Sequence, residues 1–287
     1  MDEFPESDHQ DRPEPGTRLD LIEDARQVGL ELTDRQFTEW RRLGLVGAPK
    51  RQRTGPTGQD LAIFSSEQRA LFRAIARDRV QGVSNAWLAS HPVNAWLNFG
   101  DDSVSIEQLR AALTTAVGKP THSTRVAAIT ARSIVDQIDL NDASVSARAF
   151  FKSQITEQLS AGPVNEAKVR AAVLRVFQPG NVVIYRGSSD APLHVDAVTT
   201  WLVATMTATR KLKTITDDQL REARLQHLAS LPEYIRNQAA RQAEGGPQLA
   251  DLYADVTPIS LAKQAVSTLL LLLGMNILRD RRAAGGR

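Results

Sequence analysis

Between Arg35 and Arg53 the chain carries Arg35, Arg41, Arg42, Lys50, Arg51 and Arg53 against a single acid, Glu39. Guanidinium and ammonium groups gathered so closely suit phosphate, which they meet through charge-assisted hydrogen bonds. Asp34, just before this run, and Thr38, within it, add short polar side chains of the kind that meet base edges. A solvated basic face is the other reading of any such cluster. Net charge is only +2, so the distribution matters more than the sum. The first sixteen residues have the opposite sign, with Asp2, Glu3, Glu6, Asp8, Asp11 and Glu14 against Arg12 alone. An acidic arm of this kind either screens a basic face or serves as a solubilising tail.

Other chemistries find little support. There is no cysteine, which removes disulfides, thiolate metal sites and cysteine nucleophiles. His9, His91, His122, His194 and His227 include no pair at metal-ligand spacing, so surface or satisfied core roles are expected. Asp136, Asp139 and Asp142 suit a helix end and its cap. Ser188, Ser189, Asp190 and His194 lack the Gly-x-Ser-x-Gly elbow of a hydrolase. No Walker A loop or dinucleotide fingerprint occurs. The expectation is a protein that is not an enzyme and uses no cofactor or metal.

The elements that must position the cations are helical. Leu19 to Gly29 has an apolar stripe of Leu21, Ile22, Ala25 and Val28. A second helix starts at Thr33, whose spacing to Gln36 allows a capping box, and stops at Gly44. Phe37, Trp40 and Leu43 would fix it while Asp34, Arg35, Thr38, Arg41 and Arg42 occupy its polar side. Val46 to Ala62 reads as a loop broken by Pro49, Gly55, Pro56 and Gly58, returning through an extended patch at Leu61 to Phe64. Ser65 caps a further helix, which breaks at Gly82 and restarts at Ser84. Helices follow from Ser105, with a second capping box to Gln108. Others are expected near Thr124–Ile138, Val145–Leu159, Asn165–Phe177, Val195–Lys213, Asp217–Ala243 and Ile259–Arg282, with Pro232 kinking or dividing the fifth of these. Asn181–Arg186 is the one plausible strand of this region.

The run from Leu32 to Leu45, LTDRQFTEWRRLGL, with the close of the basic loop at Phe64-Ser65-Ser66-Glu67-Gln68 and the break at Gln81-Gly82-Val83-Ser84, resembles the MerR family of DNA-binding proteins. The Trp87-Leu88 and Trp96-Leu97 pairs before Gly100 continue the likeness, which covers about Leu19 to Gly100. The resemblance implies a winged helix-turn-helix that binds double-stranded DNA as a homodimer on a palindromic site. It implies that Arg35 contacts base or phosphate, that Arg42 contacts phosphate, and that Lys50, Arg51 and Arg53 lie in the wing. Trp40 stands where the family has a backbone-contacting Tyr; its indole N–H either donates to phosphate or is buried. Thr38 replaces a usual Arg. The long heptad dimerisation helix and the cysteine ligands of metal-sensing members are missing.

The fold expected is mainly α: a disordered acidic tail over 1–17, a MerR-like winged helix-turn-helix over 18–100, and an all-helical domain over 101–287. The expected DNA-binding set is Asp34, Arg35, Thr38, Trp40, Arg41, Arg42, Lys50, Arg51 and Arg53. Function is expected to be sequence-specific transcriptional regulation in the bacterial cytoplasm, at the nucleoid. The alternatives are an architectural DNA-binding protein of excisionase or plasmid-partition type, and a protein-interaction adaptor that does not bind DNA. The helical region is a candidate effector site, for a small molecule or a protein, with an apolar lining from Val198, Trp201, Leu202 and Met206. Ile259 to Leu278 is apolar but interrupted by Lys263 and several polar residues, which suits a buried or dimer-forming helix better than a membrane span.

Overall fold

A computed structural model describes residues 13–53, 60–118, 127–128, 143–160, 163–177, 195–244 and 258–285. These are mainly helical and divide into two compact units, 1–116 and 117–287. The first unit therefore runs past the boundary expected at Gly100. The expected helix near Thr124–Ile138 lies almost entirely outside the described residues. The strand at Asn181–Arg186, the Asp136, Asp139 and Asp142 group and the Ser188 to His194 group lie wholly outside them.

In the first unit α1 spans Arg18–Gln27 and α2 spans Asp34–Arg42. Strands β1 (Lys50–Arg53) and β2 (Asp60–Ile63) follow as an antiparallel hairpin, with Lys50 opposite Ile63 and Arg53 opposite Asp60. The expected loop is thus partly a ladder. Next come α3 (Ser66–Val80), the short α4 (Asn85–Leu88), α5 (Ser90–Phe99), a 3₁₀ turn at Gly100–Asp102 and α6 (Ile106–Val117). Local chemistry explains the breaks. Gly29, Gly44 and Gly82 all take positive φ where the sequence demanded a helix stop. Thr33 and Gln36 form the reciprocal cap at the start of α2. At α6 only Ser105 plays the expected capping part, accepting from the Gln108 N–H at 3.2 Å. The Gln108 side chain is drawn elsewhere, into an amide pair with Gln68 of α3. Gln68 also accepts from the Gly47 N–H at 2.8 Å and donates to the Ser103 carbonyl at 2.6 Å. This buried set ties α6 to α3 and to the turn after α2.

Residues 13–17, expected to belong to a disordered tail, are ordered. Gly16 forms an antiparallel bridge with Phe64, its N–H donating at 3.0 Å and its carbonyl accepting at 2.8 Å. Thr17 caps α1 in a box with Asp20, whose carboxyl is held below its ordinary range by the Thr17 backbone and side-chain donors. Backbone pairing and a cap supply what the composition of this stretch conceals.

An ionic knot joins α1 to α3. Asp24, 1 % exposed, accepts from Arg69 at 2.6 and 3.0 Å and from Arg73 at 2.7 Å. Burial pushes its carboxyl up, but hydrogen bonds and charge from both arginines outweigh this and leave it below the usual carboxylate range. A depressed carboxyl stabilises the fold above the unfolded value of about 4 and loses that contribution as pH falls through the lower folded value. Asp24→Asn is therefore expected to cost roughly 3 kcal/mol at neutral pH, the low end for a broken buried pair because both arginines reach water. Urea unfolding at pH 7 and again near pH 3 checks this: the gap between variant and parent should narrow in acid. An undiminished gap would show that packing, not the ion pair, sets the loss.

The second unit contains α7 (Val145–Ser160), α8 (Glu166–Phe177), α9 (Val195–Lys211), α10 (Asp217–Glu244) and α11 (Pro258–Gly285). Pro232 does not divide α10, which runs through it. Every residue from Leu202 to Thr209 on α9 is buried, the pattern of a helix enclosed on all sides. It packs against α8 and α11. Val198, Leu202 and Met206 belong to one packed core with Phe151, Ile155 and Val173, and Trp201 packs against its edge. Gly274 of α11 lies so close to α9 that a Cβ there would sit 2.0 Å from the Ala204 carbonyl oxygen. Asn276 of α11 and Gln226 of α10 exchange hydrogen bonds at 3.0 and 3.1 Å. Arg279 reaches Glu222 at 2.9 Å, one turn along each helix in opposite directions. Leu269, Leu270, Leu273 and Ile277 of α11 are buried within the chain, while Met275 is exposed.

Candidate nucleic-acid interface

The expected contact residues lie on α2 and β1, both in the first unit. Arg35, Arg41 and Arg42 are exposed on α2, and Lys50, Arg51 and Arg53 are exposed on β1. Strand alternation sends Arg51 and Arg53 to one side of the hairpin and Lys50 and Gln52 to the other. Both β1 faces are exposed, so no apolar alternation marked it as a strand.

Of the two expectations for Trp40, a phosphate-contacting indole or a buried one, the structure has the second, and Trp40 leaves the expected contact set. It is 4 % exposed, and its ring centroid lies 5.8 Å from that of Phe72. Phe37 lies one turn earlier on the same face of α2. Its ring meets Phe64 edge-on at 6.0 Å and Phe72 at 6.2 Å. Burial of the large aromatic surface of Trp40 anchors α2 to α3. Phe64 directly follows β2, so the Phe37–Phe64 contact joins α2 to the foot of the hairpin.

The polar face of α2 is partly organised by its own contacts. Thr38 donates its hydroxyl proton to the Asp34 carbonyl at 2.9 Å, leaving only its lone pairs outward. Arg42 donates to both carboxylate oxygens of Glu39, at 2.6 and 2.8 Å. That bond lowers the Glu39 carboxyl and raises the Arg42 guanidinium from their ordinary values. Asp34, at the head of the helix, accepts from Arg18 of α1 at 2.5 Å. The same guanidinium lies 4.9 Å from the Phe37 ring. Sequence reading did not single out Arg18; its partners are distant in sequence and no local motif marks it.

No protein-family model, curated protein or solved structure matches this chain.

Other candidate chemistry is thinner. His91 Nε2 lies 2.6 Å from an Asp78 oxygen in a largely buried pair, as suits a satisfied core histidine. Burial, and secondarily the charge of Arg224, pushes the His227 imidazole below its usual value. Among the described residues no group of three or more acidic or histidine side chains is placed to hold a metal ion. No described helix is long and apolar enough to cross a membrane.

Proposed function

We propose that the first unit is a MerR-like winged helix-turn-helix that binds double-stranded DNA, and that the chain is a sequence-specific regulator acting at the nucleoid as a homodimer. One observation carries the reading. The exposed cations of α2 and those of β1 stand on two elements fixed to each other through Phe37 and Phe64. A helix presenting polar and cationic side chains beside a basic hairpin is the arrangement that meets a groove and its flanking phosphates together. Arg35, Asp34 and Thr38 read base edges, while Arg41, Arg42, Lys50, Arg51 and Arg53 supply affinity through phosphate. Trp40 supports the helix from behind. The second unit serves oligomerisation or effector binding, and the protein performs no catalysis.

The test is selection of the full chain on a random double-stranded DNA pool, followed by sequencing. An enriched palindrome is expected, with a half-site spacing that reports the dimer. Salt-sensitive binding without enrichment would replace the regulator with an architectural role. Absence of any DNA binding would leave the adaptor reading.

A further inference from the structure

Residues 1–12 are opposite in sign to the basic face, and the chain that follows them is paired beside the hairpin. We propose that residues 1–12 are an acidic arm that binds the cationic face of α2 and β1 in the same chain. Its competition with nucleic acid for that face rests on the DNA-binding reading, whereas the contact itself does not.

Charge gives the first argument. Residues 1–12 hold Asp2, Glu3, Glu6, Asp8 and Asp11 against Arg12. The face they would meet exposes Arg35, Arg41, Lys50 and Arg51, while Glu39 is already engaged by Arg42.

The root of the arm gives the second. Gly16 is paired with Phe64, the residue after β2, and the preceding β2 residue Ile63 lies opposite Lys50. Two residues beyond Gly16, Arg18 is bonded to Asp34 at the head of α2. The root therefore stands between the foot of the hairpin and the start of the helix. Arg69 holds the Glu14 carbonyl at 3.0 Å, so the departure point is fixed.

Reach is sufficient. Twelve residues span up to about 40 Å when extended. The β1 strand is only about 13 Å long and α2 about 14 Å. Single exposed ion pairs are weak. Several of them on a tether work at an effective concentration of the order of millimolar, and added salt screens them. An arm that must be displaced by any duplex weakens every sequence by the same factor, unlike the loss of a base contact.

The chain has no cysteine, so a single label can be placed cleanly. A nitroxide on Ser7→Cys should broaden the amide signals of α2 and β1 at about 50 mM salt but not at about 0.5 M. The variant Asp2→Asn, Glu3→Gln, Glu6→Gln, Asp8→Asn, Asp11→Asn, carrying the same label, should lose the broadening. Without the label it should bind random duplex DNA about tenfold more tightly than the parent at low salt, equally for all sequences. Broadening confined to other elements, or none, overturns the contact, whatever the DNA result. Broadening on α2 and β1 with no DNA binding by either protein upholds the contact and sinks the DNA-binding reading. Broadening with equal DNA affinities overturns the competition.

Discussion

The triple variant Arg41→Ala, Arg51→Ala, Arg53→Ala is expected to lose about a hundredfold in affinity for every duplex, cognate or random. On the proposed reading each solvent-exposed phosphate contact is worth roughly 1 kcal/mol, and three of them come to about two decades. The residues come from both cationic elements: Arg41 from α2, Arg51 and Arg53 from one side of the hairpin. Counterion release gives a second readout: the slope of log affinity against log salt should fall by about 3. Arg35→Ala should behave differently, relaxing preference at one base pair with little change in that slope. Equal salt slopes for the triple variant and the parent would remove the hairpin and α2 from the interface. Circular dichroism should stay unchanged, because all three side chains are exposed.

Gly44→Ala is expected to destabilise the first unit by about 3 kcal/mol or more. The residue sits at φ 76°, where an L side chain costs about 1–2 kcal/mol. A Cβ there would also lie 2.4 Å from the Ala112 nitrogen and 2.6 Å from the Gln108 carbonyl oxygen, both backbone atoms of α6. Relieving that overlap forces α6 away from the turn after α2, at a further cost of about 1–3 kcal/mol. It also strains the bond from the Thr115 hydroxyl to the Leu43 carbonyl. Gly29→Ala is the control. Its φ is 85°, yet nothing lies within 4 Å of the added methyl, so only the backbone penalty applies. Chemical unfolding of the two variants side by side separates the terms. Equal losses would show that α6 yields freely.

What the sequence made legible was whatever chemistry acts within a few residues. The glycine stops at Gly29, Gly44 and Gly82 and the Thr33–Gln36 cap are contacts along a single turn, and the residue types suffice to place them. The same holds for the long helices of the second unit, whose bounds follow from apolar periodicity and breakers. The hairpin was hidden because Lys-Arg-Gln-Arg has no buried face to create alternation. The place of α6 in the first unit was hidden because it depends on Gln68 meeting Gln108 and on a glycine gap at Gly44, both long-range. On the basic face, the cations were visible as a cluster. Phe37 and Trp40, three residues apart, were legible as the side that fixes α2, but their partners Phe64 and Phe72 were not, since those contacts are long-range. Arg18 shows the same limit from the other side: it pairs with Asp34, sixteen residues away, through the fold and not through any local motif.

The gap left by Gly274 has a mechanical consequence for the second unit. At that point α11 and α9 touch backbone to backbone, with no side chain between them to bend out of the way. Sliding α11 by one helical turn, about 5.4 Å, would bring Leu270 or Leu278 opposite Ala204, where a missing Cβ is already needed. The pair behaves as a rivet rather than a bearing. Any signal passing through these two helices must travel as a tilt about that point or as separation of their ends, and a piston stroke along their axes is closed to it.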